Sequence, residues 1–261
     1  QKNRTENLFL ALPSWLELNV NEIIIVDWGS EVSIKNEIAE INDDRIILIE
    51  VKNQPKWCLA EAFNLAAQYA KGDLLLKLDA DIKIEPNFLD YHPLKQGQFF
   101  AGNWKNARNS NEKALNGVLF VHRCDYWEIN GYNEFFKIYG WEDSDLYNRL
   151  ADIGLKRSDI NNNLIYHLPH EDRVTNQEMG IKGIDDSKLG GIGITINRIL
   201  SEILDPWSQD FSCHQYKELV VESNYFQVEE KGPSSNVVTD KVLSKIKSDA
   251  ITEHLIRDGI N

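Results

Sequence analysis

Residues 74–81 read Leu-Leu-Leu-Lys-Leu-Asp-Ala-Asp. A short apolar run that ends in two carboxylates spaced i, i+2 predicts a buried strand opening onto a turn. Carboxylates so placed can face one hard cation together, and a divalent ion with open positions can clamp a diphosphate. Two upstream segments repeat the pattern. Glu22–Asp27 (EIIIVD) and Arg45–Val51 (RIILIEV) are apolar runs that read as strands buried on both faces. Helical periodicity falls between and around them, over Thr5–Leu18, Ser33–Ile41 and Trp57–Ala70. Helices interleaved with apolar strands predict an α/β fold with a mainly parallel central sheet. Ligands of such sheets bind beyond the carboxyl ends of the strands, where Asp27 and Asp79 stand.

Beyond residue 96 the pattern changes. Short strands are expected at Gln98–Gly102, Gly117–His122 and Leu164–Leu168, and helices at Cys124–Asn130 and Ser144–Ile153. Asn103–Asn116 is polar and reads as a mobile loop. That loop, or the segment after His170, is expected to order over a bound ligand. The glycines after residue 180 and the helical periodicity of Ile194–Leu204 and Val242–Ile256 predict a helical C-terminal extension over residues 181–261, following a main domain of residues 1–180.

Composition narrows the function. The 261 residues carry 28 Lys and Arg against 41 Asp and Glu, a net charge of −13. A surface this acidic disfavours duplex nucleic acid and docking to anionic lipid by charge alone. Cys58, Cys124 and Cys213 have no CxxC spacing, which excludes a cysteine-rich zinc site and reads as buried reduced thiols. No apolar stretch approaches the roughly 20 residues of a membrane span. The expected location is cytoplasmic, peripheral at the inner membrane face at most.

A second acidic cluster, Gly140-Trp141-Glu142-Asp143-Ser144-Asp145, opens a predicted helix. Helix capping accounts for one carboxylate there. A carboxylate pair beside an aromatic wall also suits a general base facing an acceptor hydroxyl. His167 and His170 close the last predicted strand and are candidate metal ligands.

The order of these segments resembles a known family. KLDADI, NGVLFVHRCDYWEINGYNEFF, GWEDSDLYNRL and HLPH follow a strand ending in Asp27 and a helix carrying Trp57 and Asn64. The string resembles inverting GT-A glycosyltransferases of the family 2 type. It is closest in kind to the galactosyltransferase C-terminal-domain and bacterial chondroitin-polymerase branch, over about residues 1–176. The resemblance implies a Rossmann-like GT-A fold, a UDP-sugar donor, a carbohydrate or glycolipid acceptor, and Mn²⁺ or Mg²⁺. It implies nucleotide or substrate contacts at Asn3, Arg4, Asp27, Trp57, Asn64, Lys77, Asp79 and Trp141, with Lys2 in the same N-terminal loop. It implies metal ligation by Asp79, Asp81 and His170, with His167 the alternate. Asp143 is implied as the general base and Glu142 as its partner. Two departures stand out. The family's first strand, expected before Lys2-Asn3-Arg4, is absent from the sequence, and Trp28 follows Asp27 where the family has a small or acidic residue. Two other functions share this chemistry: a carbohydrate- or nucleotide-binding module without turnover, and a metal-dependent nucleotidyltransferase.

Overall fold

The computed structural model describes residues 1–137, 139–169, 186–203, 207 and 213–231. The first half runs α1 (Thr5–Leu16), β1 (Ile23–Trp28), α2 (Lys35–Ile41), β2 (Ile46–Lys52), α3 (Leu59–Tyr69), β3 (Leu74–Lys77), β4 (Ile82–Ile84), α4 (Phe88–Tyr91) and β5 (Gln98–Ala101). The second half adds α5 (Ser110–Lys113), β6 (Leu119–His122), α6 (Arg123–Glu128), α7 (Glu142–Asp152), β7 (Lys156–Asp159), β8 (Ile165–His167), α8 (Asp186–Ile203), β9 (Tyr216–Glu222) and β10 (Tyr225–Glu230).

β1 and β2 pair in parallel with Ile25 opposite Leu48 and Asp27 opposite Glu50. Side chains alternate across a strand. Ile23 and Ile25 therefore join a core with Leu8, Leu12, Leu48, Ile82 and Phe88, while Val26 and Trp28 join another with Ile49, Val51, Leu65, Val121 and Leu146. Burial on both faces is why the strand reads as an unbroken apolar run. Each fully buried Ile or Leu contributes about 1.5–3 kcal/mol. Leu8, Ala11, Leu12 and Trp15 form the buried stripe of α1, and the Trp15 indole donates to the Ile82 carbonyl at 2.7 Å. This fixes α1 against β4, next to the acidic turn.

Three sheets result, in the orders β1-β2-β10-β9, β3-β6-β5-β7 and β4-β8. Parallel pairing joins β1 to β2, β2 to β10, and β5 to β7, while β3, β5, β6, β4 and β8 also pair antiparallel. Residues 103–116, expected to be a loop, contain α5 and the 3₁₀ turn Trp104–Asn106, and lead through a second 3₁₀ turn, Ala114–Gly117. Asn103 and Asn109 cap two of these turns by accepting from Lys105 N–H and Glu112 N–H.

The C-terminal extension is not helical throughout. α8 is helical, but β9 and β10 form an antiparallel hairpin, and β10 adds to β2 in parallel. In β10 the buried Tyr225 and Val228 and the half-buried Phe226 stand among Gln227, Glu229 and Glu230, so the apolar signal is diluted. The helix expected at 242–256 lies outside the described residues.

Gln1 sits on the free edge of β1. Its amino group donates to the Val26 carbonyl, and Trp28 N–H donates to the Gln1 carbonyl at 2.8 Å. This is the bond pattern of a parallel strand residue opposite Asp27. A cavity of about 1510 Å³ lies alongside, lined by β1 on one side and β3 on the other.

Candidate functional site

Ile82 N–H donates to the Asp79 carbonyl at 3.0 Å, folding residues 79–82 into a tight turn. β4 then pairs antiparallel with β8, setting Ile82 opposite His167. The result is a His167 Nε2 to Asp81 Oδ1 separation of 3.8 Å, with Leu168 N–H donating to the Asp81 carbonyl at 2.7 Å. The other ring nitrogen, Nδ1, hydrogen-bonds the Asn111 side-chain oxygen at 2.8 Å. That contact orients the ring and leaves Nε2 toward Asp81. Arg4 lies 4.0 Å from Asp81 on the other side. His170, the favoured ligand, lies outside the described residues; His167 is the histidine that can be placed.

The opposite wall begins at Gly140 and Trp141, with φ of 112° and 73°. A Cβ on Gly140 would come 2.6 Å from Ile194 of α8, so only glycine lets α8 pack here. The Asn197 amide donates to the Gly140 carbonyl and ties α8 to the turn. α7 starts directly after, and Asp143 projects from its first turn. Asp143 Oδ1 accepts from the Tyr132 hydroxyl at 2.7 Å. Lys77 Nζ lies 3.5 Å from the same oxygen and 3.1 Å from Asp79 Oδ1. Burial favours the neutral amine, but Asp143 and Asp79 outweigh it and raise the Lys77 pKa.

Glu142 is buried and accepts from Gly140 N–H at 2.8 Å. Burial, reinforced by the neighbouring Asp143 charge, pushes its pKa up to about 8. A carboxyl whose folded-state value exceeds its unfolded value of 4.5 binds a proton more readily in the folded state. Its contribution to stability is present below 4.5 and is lost as pH rises through about 8. Glu142→Gln, which keeps the acceptor without the titration, is expected to melt several degrees above wild type at pH 8 by an effect of order 1–3 kcal/mol. At pH 5 the two should melt together. Equal melting at both pH values by circular dichroism would show that Glu142 is not held protonated.

The remaining predicted residues separate. Lys2, Asn3, Arg4, Trp57, Lys77, Asp79 and Asp81 line the large cavity with Tyr132, Glu142 and His167. Lys2 Nζ donates to the Gln54 carbonyl at 2.8 Å and to the Trp28 carbonyl at 3.3 Å, so it braces the loops at the cavity wall. Asp27 lines a smaller neighbouring cavity of about 470 Å³ with Ser30, Glu50 and Asn53. Burial raises the Asp27 pKa against the opposing hydrogen bond from Ser30. Asn64 is a correction. Its amide donates to the Tyr132 carbonyl at 2.9 Å and to Glu134 at 2.8 Å, and its oxygen accepts from the Tyr126 hydroxyl at 2.6 Å and Tyr132 N–H at 2.9 Å. With both donors and both lone pairs spent inside the protein, Asn64 holds the 131–134 loop and has none left for a nucleotide.

Two family models match the chain. Residues 3–92 match the one described as glycosyl transferase family 2, and residues 98–171 match the one described as N-terminal domain of galactosyltransferase. Both models describe glycosyltransferases, and the chain is a glycosyltransferase. Among solved structures it is similar to the catalytic domain of Drosophila beta-1,4-galactosyltransferase 7 in complex with xylobiose. Identity there is 14%, TM-score 0.52, and coverage 92% of this chain and 93% of that one. A mutant of the same Drosophila enzyme in complex with manganese, UDP-Gal and xylobiose is similar at 14% identity and TM-score 0.51, with the same coverage. GalNAc-T7 with UDP, GalNAc and Mn²⁺ is similar at 16% identity and TM-score 0.50, over 64% of this chain and 41% of that one. At such identities these likenesses establish the GT-A fold. A search of curated proteins finds no match.

Sequence reasoning missed four residues of the candidate site: Gln1, Asn111, Gly117 and Tyr132. Tyr132 stood within the quoted NGYNEFF string, and its role depends on a contact 11 residues along the chain. A second cluster was also unforeseen. Glu61, His214 and Glu230 bring candidate ligand atoms within 4.8 Å of one another. Lys137 contacts Glu61, and Glu134 lies 3.6 Å from His214. With an ammonium already seated among the carboxylates, the cluster is an ion-pair network tying the C-terminal hairpin to α3.

Proposed function

We propose that this glycosyltransferase moves a sugar from a UDP-sugar to a carbohydrate hydroxyl, inverting the anomeric centre, in the synthesis of a polysaccharide or glycoconjugate. The observation that carries the reading is the convergence of two acidic elements. The Asp79–Asp81 turn meets the first turn of α7 through Lys77, so a diphosphate-binding side and a base side share one cleft. UDP-Gal, manganese and xylobiose in the complexes of the Drosophila relative agree with donor, metal and acceptor of these classes.

The donor set fits a divalent cation. Asp79 and Asp81 offer hard oxygens, and His167 or His170 an imidazole nitrogen, a combination that suits Mn²⁺ better than Mg²⁺. The basic Arg4 and Lys77 beside these carboxylates balance their charge. When bound, the ion supplies positive charge to the diphosphate that departs. Asp27 hydrogen-bonds the uracil edge, Asn3 and Arg4 border the nucleotide, and Trp57 and Trp141 border the sugars. The acceptor hydroxyl attacks the anomeric carbon on the face opposite the diphosphate. As the C–O bond forms, Asp143 takes the hydroxyl proton. Tyr132 and Lys77 engage Asp143 Oδ1, and Oδ2 is the oxygen assigned to the proton. The C–O bond to the diphosphate breaks in the same step, so no side-chain nucleophile is needed. Glu142, protonated at neutral pH, donates to the acceptor or donor sugar.

The unit that does this is residues 1–180 completed by the β9–β10 hairpin. Among the described residues no helix is long and apolar enough to cross a membrane, and the proposed setting is cytoplasmic. The test is product analysis with a panel of UDP-, GDP-, CDP- and dTDP-sugars plus Mn²⁺ and oligosaccharide acceptors. Free UDP and a glycoside of inverted configuration are expected. Pyrophosphate release would instead mark a nucleotidyltransferase, and tight UDP binding without any product would mark a binding module.

A further inference from the structure

Lys77 is the one cation between the two acidic elements of the cleft among the described residues. Its side chain is only 7% exposed. The ammonium stands 4.3 Å from the centre of the Phe63 ring and 5.9 Å from that of Tyr132, an aromatic seat that replaces water around the charge. A Cβ built on Gly117 would come 2.8 Å from Lys77 Nζ, 2.9 Å from Asp79 Oδ2 and 3.3 Å from Asp143 Oδ2. The three charged groups therefore pack together on the bare backbone of Gly117.

We infer that Lys77 is a positioning residue rather than a nucleotide contact: its ammonium clamps the base Asp143 to the metal-binding turn at Asp79. The inference rests on the proposed roles of Asp143 and Asp79. Two physical consequences follow, and they have opposite signs. With the ammonium gone, two neighbouring carboxylates repel, and Asp143 loses the place from which it meets the acceptor. Yet a positive charge in contact with Asp79 also opposes a dication bound there, so its removal strengthens metal binding. A residue that merely supported the fold would weaken both.

The experiment measures kcat and calorimetric Mn²⁺ affinity in the presence of UDP for wild type, Lys77→Met, Asp143→Asn and the double variant. For Lys77→Met, kcat is expected to fall by about 30- to 100-fold while the Mn²⁺ dissociation constant falls about tenfold. On the Asp143→Asn background, Lys77→Met should cost less than about threefold further in kcat, because both act through one group. Wild-type kcat, looser Mn²⁺ binding or additive losses would overturn the inference. The double variant removes one charge of each sign. Should Lys77→Met alone not fold, the double carries the metal readout, with tighter Mn²⁺ binding than Asp143→Asn expected. If wild type transfers no sugar, the proposed function fails. The Lys77 inference is then judged on metal affinity alone, and an unchanged or weaker constant overturns it.

Discussion

Asp143→Asn is expected to lower kcat by on the order of 10²–10⁴ while the donor dissociation constant stays within about threefold of wild type. Asparagine keeps the shape of the side chain and can still accept from the Tyr132 hydroxyl, a bond of 2.7 Å in the wild-type protein. What it loses is the ability to take a proton at neutral pH. The cost should fall on kcat because acceptor deprotonation belongs to the transition state, whereas UDP and sugar are bound before it. Steady-state kinetics with the true acceptor decides the matter. If Asp143→Asn turned over at the wild-type rate, the residue would be only a helix-start carboxylate favoured by the α7 dipole.

Asp81→Ala is expected to abolish metal-dependent UDP binding and to leave folding nearly intact. Asp81 presents Oδ1 toward His167 Nε2 at 3.8 Å and lies 4.0 Å from Arg4. Its removal deletes a hard oxygen ligand and leaves the Arg4 guanidinium facing an incoming cation. The stability cost should be small, within about 1 kcal/mol, since the two contacts it breaks, to Arg4 and His167, are both long. Calorimetry with UDP, with and without Mn²⁺, reads the first effect and thermal melting the second. Mn²⁺-dependent UDP binding at wild-type strength would remove Asp81 from the ligand set.

The strands that carry the site were legible because their physics is local. β1, β2 and β3 are apolar runs that end in or lead to carboxylates, and both faces of β1 are buried, so no alternation obscures it. The acidic turn and the α7 start were legible for the same reason, as polar residues at the ends of strong elements. Residues whose role depends on distant partners were not. Lys77 and Asn64 were both read as nucleotide contacts. Lys77 also meets Asp143, 66 positions away, and Asn64 meets Tyr132, 68 positions away. The β9–β10 hairpin escaped because its strands carry Glu218, Glu222, Glu229 and Glu230, a density of charge that hides alternation. Its place beside β2 is a long-range pairing that no local pattern announces.

The central claim is that the turn at Asp79–Asp81 holds the metal opposite Asp143. The measurement that tests it most directly is an anomalous difference map, recorded at the manganese edge, from crystals grown with UDP and Mn²⁺. One strong peak is expected at roughly 2.0–2.6 Å from Asp81 oxygen and a histidine nitrogen, with the diphosphate bound to it and Asp143 across the cleft. A peak at Glu61, His214 and Glu230, with none beside Asp81, would contradict it.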